Sequence, residues 1–370
     1  MRRRPGLLRL LWRVLGWLGL TPAIERHVIP VFLDASTSAA TNAEREAVKR
    51  CEGALEALAA SSHRVLAGPW TSEVGFELLY WIPFLRWAFA RYGIAPERVV
   101  AVSRGGAAPW YGGLAATYVD AFELLSAAEF KEANQKRVRE IGQQKQSRKS
   151  DLDGAIAEKV QARLGSDDLD WLHPSLMYQL FSLFWEGRAT ARLVEAHTTF
   201  ARLPPAPADG APVPAKDYAA VKFYASEYLP ATPENGGFVG KLVRRLADTL
   251  PVVILNTGLD LDDHAEWPLQ DHPNVHRLAP GLDARSNLAV QTAIVARARA
   301  FVGTYGGFAY LAPFCGVPAV SFYSRANALF PVHLDVAQRA CFALGPGSEV
   351  LAVNVASAEA ALGSLVVYRP

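Results

Sequence analysis

Apolar positions change their spacing from stretch to stretch along this chain, and each change predicts an element. The run "ARAFVGTYGGFAYLAPFCGVPAVSFYS" (residues 298–324) divides into three. "AFVG" is a short unbroken apolar run, the pattern of a strand covered on both faces. "GGFAYLAPFCG" carries Phe308, Leu311, Ala312 and Cys315 at helical spacing, and "VPAVSFYS" is a second buried strand. The prediction is strand, glycine turn, crossover helix, strand. Around it the alternation continues. Strands are expected in "YAAVKFYAS", "PVVILNTG", "VHRLAP" and "EVLAVNVAS", and helices in "GGFVGKLVRRLADTL", "NLAVQTAIVARA" and "AEAALGSLVV". Nearer the N-terminus, strand "HRVLAGPW", loop "TSEVG", helix "FELLYWIPFLRWAFARYG" and strand "RVVAVSRGG" make a parallel βαβ unit. Residues 115–150 read as a strand or turn and then a long basic helix with a solvated face. "DWLHPSLMYQLFSLFWEG" reads as an aromatic-rich helix of the core or of a cleft wall.

Pro204, Pro205, Pro207, Pro212 and Pro214 interrupt this alternation and mark a semi-rigid connector. The chain then divides into an α/β domain over 25–203, a linker over 204–216 and a second α/β domain over 217–370. The fold class is α/β: two Rossmann-like parallel-sheet domains facing a cleft at the C-terminal edges of their strands. The first 24 residues are different. "MRRRPGLLRLLWRVLGWLGL" opens basic and turns apolar, but Arg9 and Arg13 interrupt any 18-residue apolar span. On a helix these arginines share one side, and Leu7, Leu8, Leu11, Trp12, Leu15, Trp17 and Leu18 cover most of the rest. That pattern fits an amphipathic helix lying in a membrane surface through residues 1–20. A helix packed on the body of the protein is the alternative. With no small-residue cleavage site, the rest of the chain is expected in the cytoplasm, peripheral on the inner face of the cell membrane.

Composition narrows the chemistry. The net charge is +2 and the pI is about 8.4, so bulk charge does not argue for a nucleic-acid partner. Cys51, Cys315 and Cys341 are widely spaced, odd in number and without a CxxC pattern, which argues against a disulfide framework or a zinc site and fits a reducing compartment. His272 and His276 are four apart, but Pro273 prevents a shared helical face. No metal and no cofactor is expected.

At the level of motifs the chain resembles a known family. Its second half is similar to the nucleotide-sugar-binding domain of GT-B glycosyltransferases. The segment from "NLAVQTAIVARA" through the glycine turn to "GVPAVSFYS" is similar to one in the bacterial lipopolysaccharide heptosyltransferases. In the first half, "GFELLYWIPFLRWA" places Gly75, Leu78, Leu79, Pro83, Leu85 and Arg86 as in the heptosyltransferase pattern Gly-Asp-x-Leu-Leu, two residues, Pro, Leu-Arg. Phe76 stands where that pattern has its aspartate.

The resemblance implies transfer of a sugar from a nucleotide-sugar donor to a glycan or glycolipid acceptor, without a metal. Such a reaction must stabilise the departing diphosphate and deprotonate the acceptor hydroxyl. For the donor, Gly303, Thr304, Tyr305, Gly306 and Gly307 offer amides and a hydroxyl at a helix N-terminus. Lys222 and Arg285 are the candidate cations, and Asn256 and Thr257 border the nucleotide. For the base, Glu73 lies in the strand-to-helix loop and is preferred. Glu77 follows in the first helical turn, where the dipole alone favours a carboxylate. Ser103, Arg104 and Gly105 end the second strand, where an acceptor would lie, and Trp110 and Tyr111 are expected to stack on a sugar ring.

Other readings stay open. A GT-A transferase would use an Asp-x-Asp metal site, and "DLD" occurs at 151–153 and 260–262. A catalytically inactive nucleotide- or glycan-binding protein would keep the glycine turn without Glu73. A sugar-nucleotide epimerase has the same two-domain form. A serine hydrolase lacks its Gly-x-Ser-x-Gly elbow here.

Overall fold

The structure, a computed structural model, describes residues 41–142, 145–165, 168–205, 213–214, 217–259, 265–279, 281–325 and 331–366. The expected N-terminal helix over 1–24, most of the proline connector and the second "DLD" lie outside these residues. Among the described residues no helix is long and apolar enough to cross a membrane. The chain divides into two compact units. One is Leu33–Pro204 with Asp283–Ala289, and the other is built from Pro205–Leu282 and Val290–Pro370.

The N-terminal unit is centred on a parallel sheet of β1 (Arg64–Ala67), β2 (Val99–Ser103), β3 (Thr117–Asp120) and β4 (Leu169–Leu172), in the order β3-β2-β1-β4. β2 is buried at every position, as an unbroken "VVAVS" run requires. Helix α1 (Asn42–Ala60) precedes the first predicted strand. Its Thr41 cap accepts from the Glu44 amide, and it buries only Ala47, Cys51 and Leu55, one position in four. That narrow stripe among charged residues is why the apolar pattern did not announce it. The predicted helix after β1 forms, but in three parts: α2 (Val74–Phe76), a π-helical turn (Glu77–Trp81) and α3 (Ile82–Tyr92). α3 stops at Gly93, whose φ of 66° is left-handed.

The basic stretch becomes α4 (Ala121–Leu124), α5 (Ala127–Ile141) and α6 (Asp151–Leu164). The first "DLD" opens α6. Ser150 caps it, and Asp153 closes a capping box and is buried, so this motif is a helix start rather than an exposed metal-binding loop. The aromatic segment is not one helix. Its "DWL" belongs to β4, and α7 (Ser175–Trp185) begins only after His173-Pro174, because proline disfavours a helical residue before it. α8 (Ala191–Ala196) follows.

The C-terminal unit contains β5 (Ala219–Lys222), β6 (Val252–Ile254), β7 (Val275–Arg277), β8 (Ala300–Thr304), β9 (Ala319–Tyr323) and β10 (Val350–Asn354). All pairings are parallel, in the order β10-β9-β8-β5-β6-β7. α9 (Pro233–Ala247) starts at Thr232, whose hydroxyl accepts from the Asn235 amide, with proline at its first position. It buries Phe238, Val239, Leu242, Val243 and Leu246 against the sheet. α10 (Asn287–Val295) leads to β8, and α11 (Gly307–Phe314) crosses to β9 as the apolar pattern requires. α12 (Pro331–Leu344) was not legible in that pattern, and α13 (Val355–Val366) closes the chain.

Candidate functional site

Counted in chain order, the strands of the C-terminal sheet run 3-2-1-4-5-6. This is the doubly wound order whose switch point lies between its first and fourth strands, and ligands of such sheets bind outside the carboxyl ends there. Here those strands are β5 and β8. Their last paired residues are Lys222 and Gly303. A Cβ at Gly303 would lie 2.2 Å from the Lys222 carbonyl oxygen, so only glycine permits this approach. Gly306 has φ 148° and ψ −155°, and a Cβ there would fall 2.5 Å from the Tyr224 hydroxyl. The turn then enters α11, whose first amides have no intrahelical acceptor. Gly306 and Gly307 are partly exposed.

The other residues of the turn do different work. The Thr304 hydroxyl is buried and accepts from the Tyr224 amide at 3.0 Å while donating to the Tyr224 carbonyl at 2.8 Å. Its proton and one lone pair are spent on joining the strand ends, and the side chain is fully buried, so it serves as a clamp. The Tyr305 amide donates to the Phe322 carbonyl, and its hydroxyl accepts from Tyr310 at 2.8 Å. Of the five residues expected to offer groups to the donor, Gly306 and Gly307 are the two that are partly exposed.

Lys222 Nζ is buried against the face of Phe308, 4.9 Å from the ring centroid. It donates to the Leu255 carbonyl at 3.0 Å and pairs with Glu266 at 3.1 Å. The Thr257 amide donates to Glu266, and Asn256 Nδ2 donates to the Trp267 carbonyl at 3.0 Å. Lys222 and Thr257 thus meet at Glu266, an acid that sequence reading missed, and Asn256 bonds to the residue next to it. An isolated bridge between Glu266 and Tyr224 brings that acid to the sheet edge, 44 residues along the chain from Lys222. Arg285 does not join them. It belongs to the Asp283–Ala289 segment of the N-terminal unit and pairs there with Asp283 at 2.6 Å.

In the N-terminal unit the strand order places β1 between β2 and β4, and the loop 68–73 leaves β1 at that edge. Gly68 has φ 128°, and a Cβ there would meet the Val102 carbonyl oxygen at 2.4 Å. A buried polar network holds the loop. The Thr71 amide donates to Gln146 Oε1 at 3.0 Å, and Gln146 Nε2 donates to the Pro69 carbonyl at 2.9 Å and to Asp153 Oδ1 at 3.0 Å. The Thr71 hydroxyl donates to Asp153 at 3.3 Å. His173 Nε2 stands 3.2 Å from Asp153 Oδ2, an ion-pair distance that is off-line for a hydrogen bond. Burial would raise the Asp153 pKa, but His173 and Ser150 more than offset it and hold it below the usual value. Gln146 and His173 were not singled out from sequence, and Asp153 was named only within the first "DLD", since no local motif links the three.

The two candidate bases part company. Glu73 is exposed at the start of α2. Glu77 is fully buried within the π-helical turn, where Ser103 Oγ and Tyr111 OH both donate to Oε1 at 2.6 Å and Oε2 has no partner. Burial, against the pull of these hydrogen bonds and of Arg104, pushes its pKa up to about 7. Ser103, buried, is spent on Glu77. Arg104 Nη2 donates to the Ser72 carbonyl at 2.5 Å. The Gly105 carbonyl accepts from the Leu288 and Ala289 amides at 2.7 and 3.1 Å. Trp110 and Tyr111 are 0% and 1% exposed, so neither ring face is open to a sugar. Both lie in the short 3₁₀ turn Ala108–Tyr111, which buries them.

No family model matches this chain, and no curated protein matches it significantly. Solved structures do. Escherichia coli ADP-heptose lipopolysaccharide heptosyltransferase II is 13% identical with a TM-score of 0.45, over 82% of this chain and 98% of that one. A glycosyl transferase of family 9 from Veillonella parvula is 13% identical with a TM-score of 0.42, over 84% and 90%. An E. coli heptosyltransferase solved with ADP is 14% identical with a TM-score of 0.40, over 82% and 99%. This chain is similar to each of them in the arrangement of its parallel-sheet α/β elements. Among the described residues no group of three or more His, Cys, Asp or Glu side chains is arranged to hold a metal ion.

Proposed function

We propose that this chain is a glycosyltransferase that moves a sugar from a nucleotide-sugar donor to a surface glycan or glycolipid. The observation that carries the proposal is the switch point of the C-terminal sheet. There a lysine at the end of β5 faces a glycine turn at the end of β8, and that turn opens directly into a helix N-terminus. A cationic side chain, partly exposed glycines at a helix N-terminus and close backbone approach are what a leaving diphosphate requires.

In the proposed reaction the bond from the sugar's anomeric carbon to the diphosphate breaks as the acceptor oxygen bonds to that carbon. The electron pair leaves with the diphosphate, where Lys222 and the Gly306 and Gly307 amides receive the charge. The acceptor's proton passes to a carboxylate. Glu73 is the base in this reading, because it is exposed on the loop leaving β1, whereas Glu77 has no path to solvent as placed. The reading needs no metal. Arg104, partly exposed beside Ser72, is the remaining acceptor candidate among the residues named from sequence.

Residues 1–20 are proposed to hold the enzyme on the cytoplasmic face of the membrane. Deleting them should move the protein from the pelleted membrane fraction to the supernatant, and continued pelleting refutes the anchor. The activity is tested by incubating the purified chain with a panel of nucleotide sugars, with and without EDTA, and following donor hydrolysis. Release of a nucleoside diphosphate that is unaffected by EDTA supports the reading. A nucleotide that binds and is never hydrolysed points instead to a binding protein, and interconversion of the sugar without release to an epimerase.

A further inference from the structure

In the C-terminal unit, donors converge on one carboxylate. Glu266 Oε1 accepts from the Thr257 amide at 2.9 Å and lies 3.1 Å from Lys222 Nζ. Glu266 Oε2 accepts from the Thr257 amide at 3.1 Å and the Gly258 amide at 3.0 Å. Gly258 has φ +67°, and two successive amides in such a turn point to the same side and form a concave nest for anions. The lysine side chain, 10% exposed, closes the third side. The backbone beneath the acid is pinned. The Ala225 amide donates to the Ala265 carbonyl at 2.7 Å, and the Trp267 amide donates to the Phe223 carbonyl at 3.1 Å. Those backbone bonds do not involve the Glu266 side chain, so vacating the nest asks for rotation of that side chain and leaves them in place.

We propose that Lys222 with the Thr257 and Gly258 amides forms an oxyanion site for a phosphate or diphosphate group, in which the Glu266 carboxylate is an internal competitor that the ligand displaces. The identity of that ligand as a sugar donor rests on the reading above; the site does not. Two anions cannot share three donors this close without strong repulsion. Glu266 thus keeps the site filled when no donor is bound, and it weakens binding of any anion that makes no further contacts. Simple phosphates are held off, while a ligand with additional contacts elsewhere along the sheet edge displaces the carboxylate.

The test titrates the full chain with inorganic pyrophosphate by calorimetry, as wild type, Glu266→Gln, Glu266→Ala and Glu266→Gln/Lys222→Ala. Glu266→Gln keeps an acceptor for the two amides and removes the competing charge, so it carries the comparison if Glu266→Ala does not fold. The expected result is pyrophosphate binding at least about tenfold tighter in Glu266→Gln than in wild type, with the gain lost when Lys222 is also replaced. Equal or weaker binding by a folded Glu266→Gln overturns the proposal and leaves Glu266 as a brace for Lys222. A gain that survives Lys222→Ala overturns it too, by placing the anion elsewhere. A parallel titration with nucleoside diphosphates separates the two claims. A pyrophosphate gain without nucleotide binding removes the glycosyltransferase reading and leaves the site. Nucleotide binding without a gain removes the competitor and leaves the reading.

Discussion

The Ser103 hydroxyl donates to Glu77 Oε1 across 2.6 Å, inside a unit where Glu77 has no contact with solvent. Tyr111 donates to the same oxygen, and Asp120 adds like charge nearby. The carboxyl titrates near pH 7 rather than near its ordinary 4.5 because burial outweighs these hydrogen bonds. A group whose pKa rises on folding binds its proton more tightly in the native state. Its contribution is complete below pH 4.5 and is lost as the pH rises through 7. The shift corresponds to a loss on the order of 3 kcal/mol. Glu77→Gln imitates the neutral acid, so urea unfolding should show a smaller fall in stability between pH 5 and pH 8 than in wild type. An unchanged pH slope would contradict the assignment.

Asp153 should behave in the opposite sense. Its pKa is depressed in the folded state, so its stabilisation is present above the ordinary carboxylate range and is lost as the pH falls. Asp153→Ala strands the buried donors of Thr71 and Gln146 and the imidazole of His173. Equilibrium unfolding at pH 7 should show a loss of about 1–3 kcal/mol, the range for leaving a buried polar group without its partner. Asp153→Asn, which keeps an acceptor, should lose less.

Glu73 and Glu77 are four residues apart, yet substitution should affect them differently. Glu73→Gln is expected to lower kcat by about 10²–10⁴-fold with no change in melting temperature, because an exposed general base is lost without disturbing packing. Glu77→Gln is expected to retain most of its activity at pH 7. Steady-state kinetics on both variants decides which carboxylate meets the acceptor.

Gly306→Ala places a methyl group 2.5 Å from the Tyr224 hydroxyl, in a backbone conformation that side chains avoid. The strain is about 1–3 kcal/mol. Thermal melts should register that loss, and donor affinity should fall with it because the turn must shift.

How much of this was legible beforehand depended on how local the cause was. The strand–turn–helix–strand of 300–323 was readable because apolar runs and glycines mark it residue by residue, and Gly303 and Gly306 do fill positions that a side chain would block. β4 was hidden in an aromatic run, since Trp171 and Leu172 suit a strand or a helix equally and only His173-Pro174 divides them. Thr304 and Tyr111 looked available because exposure cannot be read from residue type. Their partners, Tyr224 and Glu77, lie 80 and 34 residues away. Glu266 escaped notice, and Asp153 was weighed only as part of an Asp-x-Asp motif, for the same reason: each acts through donors that only the fold gathers.

The most direct test of the account is thermal stability with nucleoside diphosphates and their sugars, on wild type and Lys222→Ala. A ligand at 100 times its dissociation constant adds about 2.7 kcal/mol to stability, enough to raise the melting temperature by several degrees. The account predicts that at least one nucleotide does so for wild type and that Lys222→Ala removes most of the shift. No shift with any nucleotide at millimolar concentration, or a shift undiminished by Lys222→Ala, would contradict it.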